Sequence, residues 1–211
     1  MKKLLLAAAV ATISSGAIAA DNTGFYGGIE AAYVRVDNAA QNTANRLVNG
    51  LGGSAAATAD TGIALGKLFA GYQFNENFSL EVGANKTSSL NVNFSGVTRG
   101  SAAYTGSTST DLWGLEGSLL LRPSVSTGFN GLYGKVGAHW DRMSEDVTAS
   151  ANGATATGNY WRSGSGFLAG VGYDISIDKN LTGRVAYTYY DSLAGSDAYA
   201  NVGSVGLFYK F

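Results

Sequence analysis

The sequence predicts an all-β chain: a transmembrane, antiparallel, eight-stranded, up-and-down β-barrel with short turns at one end and four longer loops at the other. Three observations carry that prediction. The last stretch, 201–211 (NVGSVGLFYKF), sets Val205, Leu207, Tyr209 and Phe211 in strict alternation with Ser204, Gly206, Phe208 and Lys210. Such period-two alternation builds a strand with two unlike faces. The first stretch has the form of an export signal. Between the two, no run is long and apolar enough for a membrane helix. Yet only 14% of the residues are charged, against about 25% in an ordinary soluble domain. A barrel reconciles these facts, because its lipid face occupies only every second residue.

The export signal comprises Lys2 and Lys3, an apolar run from Leu4 to about Ile13, and the small-residue end GAIAA. Ala17 and Ala19 form the A-x-A pattern of a signal-peptidase site, so cleavage is expected after Ala19, with Ala20 the alternative. The expected organisation is therefore a signal peptide, 1–19, and one barrel domain, 20–211. Losing Lys2 and Lys3 leaves 12 basic against 15 acidic residues, a net charge of −3. That balance does not suit a nucleic-acid binder. With no cysteine, neither a disulfide nor thiolate chemistry is available to the exported chain.

The elements follow in order. Residues 24–36 form a first strand, with Phe25, Ile29, Ala31 and Tyr33 on one parity and Tyr26, Glu30 and Ala32 on the other. Residues 37–60 lack any period and are expected to be a long loop. In the second strand, 61–74, turning Lys67 inward also turns Ile63, Leu65 and Phe69 inward. A short NEN turn leads to the third strand, 78–94. There Phe78, Leu80, Val82, Ala84, Leu90, Val92 and Phe94 are expected outside, with Ser79, Glu81, Gly83, Asn85, Asn91 and Asn93 opposite. A second long loop, 95–109, precedes the fourth strand, 110–122, where Trp113, Leu115, Leu119 and Leu121 oppose Glu116 and Ser118.

Residues 123–130 turn tightly, with the single proline at a strand end where no ladder bond is lost. The fifth strand, 132–143, leads into a polar loop, 144–160. The sixth, 162–175, turns Phe167, Ala169, Val171, Tyr173 and Ile175 outward. The seventh, 181–191, sets Val185, Tyr187 and Tyr189 against Arg184, Ala186 and Thr188. A short loop, 192–200, reaches the closing strand. Connections thus alternate between long and short, as in barrels with both termini on the periplasmic side. Tyr33, Tyr72, Trp140, Tyr173, Tyr189 and Tyr209 fall near strand ends, where interfacial girdles form.

The same alternation turns Glu30, Lys67, Glu81, Glu116, Lys135 and Arg184 inward, three acids and three bases. An eight-stranded lumen is just wide enough for side chains to fill, so these six are expected to form a neutralising plug. A thin water path, opened by exchange of partners, is the alternative. His139 shares a face with Asp141, and such a pair can serve as a general base. Ser163 or Ser165 on the next strand offers a hydroxyl, which would suit a lipid A-modifying enzyme. However, if Trp140 faces lipid then His139 faces the lumen, so a polar contact and no catalytic residue are expected. One histidine and no cysteine leave too few soft ligands for zinc. Asp60, Asp141, Glu145, Asp146 and Asp197 match no calcium-loop spacing. No metal or cofactor is expected.

The segments DNTGFYGGIE, GYQFNENFSLEVG, LTGRVAYTYY and SVGLFYKF resemble the OmpA-type outer-membrane barrel family, including its small opacity-like members. The resemblance implies a multi-pass barrel in a Gram-negative-type outer membrane, surrounded by lipids and lipopolysaccharide. It implies lumen charges paired across the barrel at Glu30, Glu81, Lys135 and Arg184. Glu30 departs from the family pattern, which carries a base there, so the pairing must be wired differently. Val205, Leu207, Tyr209 and Phe211 resemble the signal by which the assembly machinery recognises such barrels, which periplasmic chaperones deliver. The peptidoglycan-binding domain that many members add is not expected, because the sequence stops with the barrel. By this analogy the expected work is structural support and adhesion to a host or surface ligand through the loops. A narrow porin-like channel comes second and a lipid A-modifying barrel third.

Overall fold

Backbone groups in hydrocarbon find no water to bond, so strands crossing lipid must satisfy one another and leave no open edge. The computed structural model, which describes residues 23–35, 39–123, 131–196 and 198–211, meets that requirement. The expected signal peptide, with Ala17 and Ala19, lies outside the described residues, as do most of the 123–130 turn and Asp197. The elements are β1 (Gly24–Arg35), α1 (Ala39–Leu51), β2 (Ser54–Ala59), β3 (Gly62–Gln73), β4 (Phe78–Thr87), β5 (Leu90–Val97) and β6 (Ala103–Leu121). They continue with β7 (Leu132–Ala151), β8 (Ala154–Ser176), β9 (Leu181–Tyr190) and β10 (Ala200–Lys210).

The sheet runs β2-β5-β6-β4-β3-β1-β10-β9-β8-β7, and pairing of β6 with β7 closes it. Because β2 leads into β3 and β4 into β5, each couple forms one interrupted strand, and the ten segments make an eight-stranded antiparallel barrel. The first and last strands meet with Tyr26 opposite Lys210 and Arg35 opposite Asn201.

The barrel is apolar outside and polar within. Ile29, Leu68, Val82, Val171 and Val205 are each more than half exposed. Glu81, Lys67, Lys135 and Arg184 are buried inside. Among the described residues no helix is long and apolar enough to cross a membrane; the apolar outer wall is the surface that matches lipid. Aromatic rings cluster at both rims of that wall. Phe25, Tyr72 and Phe74 contact one another near the termini, with centroids 4.7 and 5.1 Å apart. Trp113 and Trp140 meet at 5.2 Å toward the other rim.

Beyond that rim the structure corrects several expectations. The 37–60 segment is not a loop throughout, since it holds α1 and β2. Most of 95–109 and 144–160 is strand, so β6, β7 and β8 reach 19, 20 and 23 residues. These extensions are Ser-, Thr- and Ala-rich and carry little apolar periodicity. Their turns are tight: β7 and β8 join through Asn152 and Gly153 at φ 51° and 80°, the left-handed pair that favours Asn-Gly in a two-residue hairpin.

The third strand also changes face. Between the pairs Lys86–Trp113 and Leu90–Thr110, it takes four steps to β6's three. The extra residue at Ser88–Ser89 is a β-bulge, which reverses side-chain parity. Val92 and Phe94 therefore point inward and are buried, and Asn91 and Asn93 point outward, opposite to expectation. Side chains satisfy the interrupted ladder: Ala64 N–H donates to Ser88 Oγ at 3.1 Å, and Leu112 N–H to Thr87 Oγ1 at 3.0 Å.

Close backbone approach at the seam requires glycine, most severely at Gly28. A Cβ on Gly28 would lie 2.3 Å from the Leu207 carbonyl oxygen, whereas one on Gly66 meets nothing within 4 Å. Gly28→Ala is expected to destabilise the barrel by about 1–3 kcal/mol through overpacking. Gly66→Ala should stay within about 0.5 kcal/mol. The midpoint of the heat-induced gel-mobility shift measures both.

Candidate functional site: the barrel lumen

Inward parity on each strand converges on the lumen. From β1 comes Glu30, from β3 Lys67, from β4 Glu81, from β6 Glu116, from β7 Lys135 and from β9 Arg184, all buried. Glu116 is shared: its Oε1 lies 2.8 Å from Lys67 Nζ and 2.7 Å from Lys135 Nζ. Its Oε2 accepts from the Tyr190 hydroxyl at 2.6 Å. Lys67 also approaches Glu30 Oε2 at 3.3 Å. Glu30 in turn faces Arg184 Nη1 at 3.7 Å, which links the two halves of the network.

Arg184 is the hub of the other half. It donates through Nη1 to Glu81 Oε1 at 2.5 Å, and through Nε and Nη2 to the two oxygens of Asp174 at 2.8 and 3.2 Å. Its guanidinium carbon sits 5.2 Å from the Phe69 ring centroid and 4.8 Å from those of Tyr133 and Phe208. A planar cation can serve carboxylates at its edge and rings on its faces together, which an ammonium cannot. Tyr26 adds a hydroxyl donor to Glu81 at 2.9 Å. Nearer the termini, Arg122 donates to Ser79 Oγ and lies 3.0 Å from Asp174 Oδ2.

His139 and Asp141 also lie in the lumen. His139 Nδ1 stands 2.6 Å from Asp141 Oδ2, a close contact whose angles fall outside hydrogen-bond geometry. Nε2 meets the Asp191 carbonyl oxygen at 2.7 Å and must donate to it. Glycines make room for the pair: a Cβ on Gly114 would strike Asp141, and one on Gly166 would strike His139. Ser163 and Ser165 share the outward parity of Phe167, so the hydroxyls considered with His139 are on the opposite face of the sheet. Both imidazole nitrogens are engaged away from them.

Four participants were not singled out from the sequence: Asp174, Arg122, Tyr190 and Tyr133. Parity was signal enough for Asp174, between outward Tyr173 and Ile175, and for Arg122, which follows Glu116 and Ser118 in step. Val205, Leu207, Tyr209 and Phe211 all face outward on the last strand. Phe211 N–H donates to the Phe25 carbonyl at 3.0 Å. Among the described residues no group of three or more His, Cys, Asp or Glu is placed to hold a metal.

A closed antiparallel barrel with an apolar exterior and an interior lined by charged side chains defines a transmembrane barrel of the outer-membrane type. The family comparison agrees: residues 5–211 match the outer membrane protein beta-barrel domain, and the chain belongs to that family. Among solved structures it is similar to Neisserial surface protein A at 16% identity, covering 91% of this chain and 100% of that one, with a TM-score of 0.45. It is similar to Ail, the attachment invasion locus protein of Yersinia pestis, at 15% over 91% and 100%, with a TM-score of 0.48. It is also similar to OprG from Pseudomonas aeruginosa at 16% over 90% and 97%, with a TM-score of 0.45. No curated protein matches by sequence. At these scores the fold rests on the strand pairing and the family match.

Glu116→Gln would leave Lys67 and Lys135 without their shared carboxylate. Breaking a buried pair from one side costs about 3–5 kcal/mol. The variant's urea midpoint for loss of the folded form should fall accordingly, and adding Lys135→Met should recover part of the loss.

Proposed function

We propose that this protein is a structural outer-membrane barrel, sealed by its own lumen side chains, whose interactions are made at its extracellular end. The observation that carries the seal is the shared Glu116 carboxylate. Around it, side chains from β1, β3, β6, β7 and β9 are joined by contacts of 2.6 to 3.3 Å. A lumen filled by paired charges holds no continuous water file, and opening it requires separating buried partners. Surface interaction is supported by the strand extensions. On them Tyr160 and Trp161 are about two-thirds exposed, and Arg142 lies 4.9 Å from the Trp161 ring. Exposed aromatics beside arginine form the composition of binding surfaces. Lipopolysaccharide surrounds the wall in this reading, and the assembly machinery recognises Val205, Leu207, Tyr209 and Phe211.

Single-channel recording in a planar bilayer tests the seal. The refolded protein should pass no steady current, and Arg184→Ala should raise conductance while gel mobility confirms a folded barrel. Regular openings in the unaltered protein would establish the narrow channel instead. For the surface, cells displaying a Tyr160→Ser/Trp161→Ser variant at equal density should adhere less to matrix-coated wells. Undiminished adhesion would remove that patch from the account.

A further inference from the structure

Above the ionic layer, the lumen widens into a cavity of about 690 Å³ that the sealing role does not use. That volume lies within the range of about 300–1,000 Å³ of small-molecule sites. We propose that it binds a small amphipathic anion, an apolar body carrying one carboxylate or sulfonate. This goes beyond the structural and surface roles above.

The walls supply the first reason. Leu65, Leu90, Val92, Phe94, Leu112 and Val202 line the cavity. Three of them, Leu90, Val92 and Phe94, face inward only because of the extra residue at Ser88–Ser89; without it Asn91 and Asn93 would line the lumen. A water-filled mouth gains nothing from apolar walls, whereas an apolar occupant removes their area from water.

The rim supplies the second. Arg35, Arg46 and Arg162 line the cavity, three bases against two acids, Glu145 and Asp141, among the described residues, and Asp141 stands beside His139. Among the described residues Arg46 has no carboxylate partner, and Arg162 meets only the Met143 sulfur, 3.4 Å from Nη2. Helix α1 forms part of the roof through Asn42, Thr43, Arg46 and Leu47, two i, i+4 pairs on one face. A guanidinium pair over an apolar chamber selects a planar anion.

The floor supplies the third. Asn85, 6% exposed, lines the cavity, and its Oδ1 is buried with no hydrogen-bond partner. That acceptor suits a hydroxyl or amide on the ligand body. Below it the Glu116 layer blocks passage, so the site binds and does not transport.

The test is isothermal titration of the full mature barrel in lipid nanodiscs with 2-naphthoate and octanoate, against protein-free discs. Saturable one-to-one binding of at least one probe is expected. It should weaken about tenfold in an Arg46→Gln/Arg162→Gln variant, the loss expected for a charged hydrogen-bonding contact. It should vanish in Leu112→Trp, which fills the chamber, with Val92→Phe as the second filling variant should the first not fold. Heat-modifiable gel mobility verifies folding in each case. The proposal is overturned by no binding beyond that of empty discs, by binding unchanged in a folded filling variant, or by affinity unchanged in the arginine variant.

Discussion

A narrow lumen walled by lipid-facing strands tolerates charge only when each charge is met by another, and this constraint organises the molecule. Arg184 shows how it is satisfied. One guanidinium engages Glu81 and both oxygens of Asp174 while three aromatic rings cover its faces. Glu116 does the complementary work, one carboxylate serving two lysines and a tyrosine. Since the partners come from different strands, the ion pairs also fix register. Sliding one strand by a residue would move its charge to the lipid face, at about 2–4 kcal/mol for a cation at mid-membrane.

The wiring follows from which side chain reaches which. Glu30 stands opposite Lys67 across β1 and β3, so the acid at this position pairs locally with a base and more loosely with Arg184 at 3.7 Å. Glycine shapes the remainder, leaving space where His139 and Asp141 project from β7. The interior thus combines long charged side chains with the rings that pack on them and the glycines that make room for them.

Past the aromatic rim a different rule operates. With water on both sides of the sheet, strict sidedness is no longer enforced, and a bulge can reverse a strand's parity at low cost. The third strand does so at Ser88–Ser89, where Thr87 and Ser88 side chains take over the interrupted ladder bonds. The result is an apolar chamber standing on an ionic floor, roofed in part by α1. The arrangement differs from a uniform polar plug.

The sequence by itself determined the eight strands through lipid, their inward charges and their outward aromatics, because a bilayer imposes period two on every residue it touches. Glu30, Lys67, Glu81, Glu116, Lys135 and Arg184 were legible for that reason, and Asp174 and Arg122 were legible in principle by the same count. Only the tertiary structure decided who pairs with whom, since partners such as Arg184 and Glu81, 103 positions apart, meet through barrel closure. It alone decided the far end as well. There Ser, Thr and Ala form strands because neighbouring strands offer them a ladder, not because of any apolar pattern, and one added residue turned Val92 and Phe94 inward. Periodicity reports the solvent on each face, and where both faces meet water it has nothing to report.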